Sequence, residues 1–187
     1  MEEIIKAFDN QPLTLINNRK YVVNPLLDHV PETKYELLED VVLELSKLTS
    51  FDDAQKIVGE EDRGGYIAAL MAHKHKKSLA MVKWNPSGLQ SEYPVDFRNA
   101  YASGKMYLHG IKKGDRVILV EDLIDSGGTI IAMIKLLQDA EAVIVDIITV
   151  AEKIDYDGRE RIKNETGFDV KSLLKVQCLN EKSKVIL

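Results

Sequence analysis

Apolar positions along this chain alternate between two periods. Near-continuous apolar runs at Gln55–Val58, Leu79–Lys83, Val117–Val120 and Ala142–Val150 are each bounded by charge or by turn residues. Such runs suit strands buried on both faces of a parallel sheet. Between them come helical stripes: Leu37, Leu38, Val41, Val42, Leu45 and Leu48 after Pro31, a helix from Tyr66 to about Lys76, and Ile130, Met133, Ile134 and Leu137. These recur at i, i+3, i+4 and i+7, the apolar stripe of a helix lying on a core. The order is strand, loop, helix, strand, which predicts an α/β fold with a mostly parallel central sheet flanked by helices.

The flanks are less regular. A short amphipathic helix (Ile4, Ile5, Phe8) precedes two β runs, Leu13–Ile16 and Tyr21–Val23, around Asn17-Asn18, the signature of a hairpin. Residues 24–31 carry two prolines and read as irregular. A charged helix over 158–167 and terminal strands over 170–178 and 184–187 close the chain. Residues 84–105 show no obvious element, and a stretch this long is uncommon in a compact domain unless it is a lid or a binding loop.

Composition narrows the classes. With 187 residues, 45% of them hydrophobic, residues 1–187 are expected to form a single domain with its own core. The formal net charge of −5 gives no general attraction to nucleic acid or to an anionic membrane. A single cysteine, Cys178, leaves no intramolecular disulfide and reads as a small hydrophobe. His29, His73, His75 and His109 lack metal-ligand spacing. No apolar run approaches the roughly 18–20 residues of a membrane span, and the acidic start MEEIIKAF is unlike a secretory signal; the expectation is a soluble cytoplasmic protein.

Chemistry concentrates in GDRVILVEDLIDSGGTIIAMIKLL, residues 114–137. A strand delivers Glu121 and Asp122, and Ser126, Gly127, Gly128 and Thr129 follow just before a helix. Paired glycines let the backbone approach a ligand closely, and a helix N-terminus favours an anion, so the loop is a phosphate cradle. Two carboxylates beside it would repel a bare phosphate. They point to a phosphorylated sugar that also offers hydroxyls. Neither GxxxxGK[ST] nor GxGxxG occurs, which argues against a P-loop nucleotidase and a dinucleotide-binding fold.

The segment VILVEDLIDSGGT closely resembles the phosphoribosyl-pyrophosphate signature of type I phosphoribosyltransferases. That resemblance implies the type I phosphoribosyltransferase fold, with a small N-terminal hood formed by residues 1–31 with part of 170–187, and a flexible lid loop over 84–105 that shields an oxocarbenium-like centre from water. It implies that Glu121 and Asp122 hold ribose hydroxyls, while Asp125, Ser126, Gly127, Gly128 and Thr129 surround the 5′-phosphate. Glu61-Asp62-Arg63-Gly64 is similar to the pyrophosphate loop of adenine-type members, with Asp62 in place of a serine; only Arg63 and the backbone of Gly64 carry over. Lys83 resembles the basic residue placed on the same pyrophosphate.

For the base, the resemblance to short xanthine and archaeal hypoxanthine enzymes puts Leu26 against the purine and Asp28 on a ring N–H or amino group. Lys153, after Ala151-Glu152, would contact the exocyclic oxygen, and an ammonium is a donor only, so it suits a carbonyl at C6. An aspartate at position 125 is the residue that takes the N7 proton in hypoxanthine/guanine enzymes. The resemblance thus implies a purine salvage enzyme using Mg²⁺ held mainly by substrate, usually a homodimer, with hypoxanthine or guanine first and adenine or xanthine as alternatives. A regulator of the same fold that senses phosphoribosyl pyrophosphate is disfavoured by the acidic balance.

Overall fold

The computed structural model describes residues 1–99 and 101–186. In chain order the elements are α1 Glu2–Phe8, β1 Leu13–Ile16, β2 Arg19–Val22, α2 Tyr35–Leu48, β3 Lys56–Glu60, α3 Arg63–Lys74, β4 Ser78–Lys83, β5 Tyr93–Arg98, β6 Ser103–Leu108, β7 Arg116–Ile124, α4 Gly128–Asp139, β8 Val143–Lys153, α5 Gly158–Thr166, β9 Lys171–Cys178 and β10 Ser183–Ile186. Eight strands form one sheet in the order β10-β9-β8-β7-β3-β4-β6-β5. The five from β9 to β4 are parallel; the pairs β10–β9, β4–β6 and β5–β6 are antiparallel.

The apolar run in β7 shows why the centre is parallel and covered on both sides. Ile118 and Val120 join one core cluster with Leu45 of α2 and Ile67 of α3, while Val117 and Leu119 join another with Ile130 and Ile134 of α4 and Ile162 of α5. Successive strand side chains point to opposite faces, so a strand between two helical layers must be apolar at every position. All four are fully buried, each removal from water being worth roughly 1.5–3 kcal/mol.

Several boundaries differ from the sequence expectation. Strand β7 continues past Val120 to Ile124 and β8 past Val150 to Lys153, so both carry their charged residues on strand ends. Helix α3 starts at Arg63, which places Gly64 and Gly65 in its first turn instead of in a loop. Residues 84–105 are not without an element: β5 and β6 form an antiparallel hairpin at the sheet edge. Pro94 is tolerated there because an edge strand need not donate every N–H. Of the segments expected in the hood, β1 and β2 form a separate two-stranded sheet, α1 packs its buried Ile4 and Phe8 into the core, and β9 and β10 belong to the main sheet, with β10 at its edge. Asn17 and Asn18, both at positive φ, make the two-residue turn between β1 and β2, the form whose twist matches a hairpin.

Candidate active site

Parallel strands β3, β7 and β8 end side by side at Glu60, Ile124 and Lys153, and a cleft opens at those ends. Carboxyl ends of parallel strands are where α/β sheets bind ligands. Two hairpins meet above it. The Asn17 side chain donates to the Tyr101 carbonyl at 3.1 Å, and the Tyr21 and Tyr101 rings pack edge to face at 5.8 Å.

The loop between β7 and α4 lines one end of the cleft. Gly127 takes a left-handed φ of 76° as N-cap of α4, a conformation that glycine adopts without strain. Gly128 lies so close to the β5–β6 turn that a Cβ would stand 2.0 Å from the Arg98 carbonyl. Thr129 Oγ1 accepts from the Asn99 side chain at 3.2 Å. Ser126 Oγ is buried without a hydrogen-bond partner. No acidic residue stands in the first turn of α4, so its N-terminal N–H groups and partial positive charge remain available to an anion.

Carboxylates occupy the cleft floor. Glu60, Glu121 and Asp122 are each under 5% exposed. Glu121 Oε2 and Asp122 Oδ2 have no hydrogen-bond partner, and buried polar atoms of this kind are rare unless a ligand uses them. Burial pushes the Glu60 carboxyl up to about 7, with Asp122 and Asp62 adding repulsion. Burial likewise raises Glu121 well above its ordinary value, reinforced by Asp122 and Glu60. The Trp84 indole N–H donates to Glu60. Arg63 faces Asp122, Nε to Oδ2 at 3.5 Å, and its Nη1 donates to the Tyr21 hydroxyl at 2.6 Å. Desolvation alone would lower the Arg63 guanidinium, but Asp122, Tyr21 and Asp28 outweigh it and hold the charge firmly. Gly64 sits against the Glu121 carboxylate, where a Cβ would fall 2.9 Å from Oε2.

At the other end stands Asp125, closely surrounded by donors. Its Oδ2 accepts from Lys153 Nζ at 2.8 Å and from the Tyr101 hydroxyl, and its Oδ1 from Arg19 Nη1 at 3.0 Å. Lys153 is 1% exposed and also donates to the Lys20 carbonyl at 2.6 Å. Burial and the bond to Asp125 raise the Tyr101 phenol well above its ordinary range, so it stays a donor.

Of the residues singled out in the sequence, the structure brings Glu121, Asp122, Asp125, Ser126, Gly127, Gly128, Thr129, Arg63 and Lys153 to one cleft. Gly64 lies against Glu121 without lining the cleft, and three others fall elsewhere. Leu26 is fully buried in the core, so packing of its side chain on a purine is corrected: it has no surface to offer. Asp28 accepts from the Tyr21 hydroxyl and from the Asn24 N–H and lines a side groove with Leu27 and His29. Lys83 is half exposed with Nζ 3.7 Å from Glu61, outside the cleft lining. Sequence reasoning missed Glu60, Trp84, Tyr21 and Tyr101 in the cleft and Arg19 beside it. Glu60 and Trp84 carried a signal, since each lies at the carboxyl end of a parallel strand; Arg19 and Tyr101 reach Asp125 only through long-range folding. Among the described residues no group of three His, Cys, Asp or Glu is disposed to hold a metal alone. The orphaned carboxylate oxygens do fit a magnesium-bound sugar phosphate, whose hydroxyls and metal shell share their hard-oxygen chemistry.

A family model described as phosphoribosyl transferase domain matches residues 36–181. The chain is 35% identical over 182 residues to a hypoxanthine/guanine phosphoribosyltransferase of Methanocaldococcus infernus, covering 97% of each chain. It is 33% identical to one so named from Methanopyrus kandleri, covering 97% of this chain and 95% of that protein. Among solved structures it resembles an adenine phosphoribosyltransferase from Thermoanaerobacter pseudethanolicus, with a TM-score of 0.76, 25% identity, and 93% and 98% of the two chains covered. The yeast adenine phosphoribosyltransferase shares the fold at a TM-score of 0.75 and 20% identity, with 92% and 97% covered.

Proposed function

This chain belongs to the phosphoribosyl transferase family, and from that premise we propose that it transfers the 5-phosphoribosyl group of phosphoribosyl pyrophosphate to N9 of a 6-oxopurine, hypoxanthine or guanine. The products are a nucleoside 5′-monophosphate and pyrophosphate. The observation that carries this reading is the buried pair of Lys153 and Asp125, 2.8 Å apart beside the phosphate loop. One is a donor suited to a C6 carbonyl and the other an acceptor suited to the N7 proton.

In this reading Ser126, Gly127, Gly128 and Thr129 at the N-terminus of α4 hold the 5′-phosphate. Glu121 and Asp122 hold the ribose hydroxyls and fix the ring, while Arg63 holds the pyrophosphate, its planar fork matching phosphate oxygens. Lys83 and the backbone of Gly64 would join Arg63 if the pyrophosphate extends along α3. The C1–O bond to pyrophosphate breaks as the N9–C1 bond forms, and the proton on N7 passes to a carboxylate oxygen of Asp125. Asn99 and Tyr101 of the β5–β6 turn lie over the site and keep water from the electron-poor sugar carbon. When bound, Mg²⁺ supplies charge neutralisation of the leaving group. Asp28 would support the hood from the side groove, through Tyr21, instead of reading the base. The family resemblance adds a cytoplasmic homodimer to this reading.

Adenine is the second reading. The structural neighbour at 25% identity is an adenine enzyme, and Glu61-Asp62-Arg63-Gly64 leans the same way. The test is incubation with phosphoribosyl pyrophosphate, Mg²⁺ and, separately, hypoxanthine, guanine, xanthine, adenine, orotate and uracil, following the nucleotide formed. Turnover of hypoxanthine or guanine supports the proposal; turnover of orotate or uracil alone overturns the purine assignment.

A further inference from the structure

The strand β2 lies against the residues that the proposed reaction needs for the base. The Lys20 N–H donates to the Tyr156 hydroxyl at 3.1 Å, and the Lys20 carbonyl accepts from Lys153. Between them Arg19 lays its guanidinium over the Tyr156 ring, its central carbon 4.1 Å from the centroid, while Nη1 donates to Asp125 Oδ1 at 3.0 Å. A guanidinium is flat, delocalised and edged with in-plane N–H donors. A purine with its N7–H directed at Asp125 and its face on an aromatic ring makes the same two contacts.

We propose that the Arg19 guanidinium stands where the purine binds, stacked on Tyr156 and paired with Asp125, and that the base enters by displacing it. This rests on the assignment of Asp125 and Lys153 to the base. Arg19 is suited to leave: its side chain is 30% exposed and can move its charge into water, while Asp125 keeps the buried Lys153 ammonium at 2.8 Å. Rotation about its own side-chain bonds moves it outward with no change in β2, whose backbone stays tied to Tyr156 and Lys153. Lys153, 4.7 Å over the same ring and 1% exposed, does not leave. Arg19 is then a competitor that sets the apparent affinity for the base, because a site that is only fractionally open weakens binding by that fraction.

The inference is tested by steady-state kinetics with saturating phosphoribosyl pyrophosphate and Mg²⁺ and varied hypoxanthine. In Arg19→Ala the KM for the base is expected to fall by about two- to tenfold with kcat within about twofold, since a competitor has been removed. Arg19→Lys, which keeps the charge but not the flat fork, is expected to lie between. A KM that rises or stays unchanged in Arg19→Ala overturns the inference. A second readout does not need turnover. In nitrogen-edited NMR spectra of the wild-type chain, the Arg19 side-chain N–H signals are expected to be shifted by the Tyr156 ring, to lose that shift in Tyr156→Ala, and to move when hypoxanthine is added. Absence of the ring shift, or signals that hypoxanthine does not move, also overturns it. A wild type that converts no purine while these signals respond would sink the proposed reaction and leave the placement of Arg19 standing.

Discussion

Asp125 receives Lys153, Arg19 and Tyr101 at its two oxygens. The buried ammonium of Lys153 keeps a carboxylate beside a phosphate loop, where it would otherwise repel the ligand. Asp125→Asn should preserve the fold and lower kcat by roughly 10²–10⁴, the range for a general acid–base group; an unchanged kcat removes Asp125 from the chemistry. Lys153→Met keeps the volume of a 1% exposed side chain but strips Asp125 of its nearest cation. The expected result is a hypoxanthine-to-adenine kcat/KM ratio reduced by tenfold or more, since a wrongly matched buried polar group costs about 1–3 kcal/mol, with the ratio measured on both bases. Asp125 and Lys153 were legible in the sequence because each terminates or follows a buried strand. Arg19 and Tyr156 were not, because residues 137 positions apart meet only when the β1–β2 hairpin folds back onto the main sheet.

At the level of elements, the phosphate loop is wedged between two others. The β5–β6 turn presses on Gly128 from one side, and Gly158 at the start of α5 lies against the Asp125 and Gly127 backbone from the other. In Gly128→Ala the new methyl must displace the Arg98 carbonyl. The expected consequence is a loss of about 1–3 kcal/mol in stability, typical of overpacking, read by denaturant unfolding, together with a higher KM for phosphoribosyl pyrophosphate. The hairpin can also be followed directly. Trp84 is the single tryptophan; it packs edge to face on Phe97 of β5 at 4.5 Å and donates to Glu60. Its fluorescence should therefore respond to phosphoribosyl pyrophosphate, and a silent titration would contradict the placement of pyrophosphate on Arg63, three residues beyond Glu60. The hairpin escaped sequence reading for a physical reason: Tyr93, Val95 and Phe97 do alternate with polar residues, but Pro94 demotes a strand unless it lies at an edge. Elements with long uninterrupted patterns, α2, β7, α4 and β8, were legible to within a few residues.

Across the whole molecule, the sheet gathers acid at the carboxyl ends of its strands and covers it with two hairpins. Folding raises the Glu60 carboxyl from 4.5 to about 7, chiefly by burial, and raises Glu121 in the same direction. A carboxyl with a raised folded value is protonated in the folded chain while the unfolded chain has ionised. The folded state then binds more protons, and stability falls as pH rises from about 4.5 to 7. For Glu60 the contribution is about 3 kcal/mol. Thermal unfolding of the protein without added ligand should show this decline, and Glu60→Gln should flatten it; a variant with the wild-type slope would contradict the assignment. The α/β class and the central parallel sheet followed from hydrophobic period alone, whereas the packing of the β1–β2 hairpin and the antiparallel edges depend on pairings between distant segments.

The central claim concerns the base, and one competition measures it. With phosphoribosyl pyrophosphate and Mg²⁺ present, equal concentrations of hypoxanthine and adenine are offered together and the two nucleotides are quantified at low conversion, which gives the ratio of kcat/KM values. The buried ammonium of Lys153, able only to donate, predicts the inosine nucleotide as the dominant product by at least tenfold; a dominant adenosine nucleotide would contradict the account.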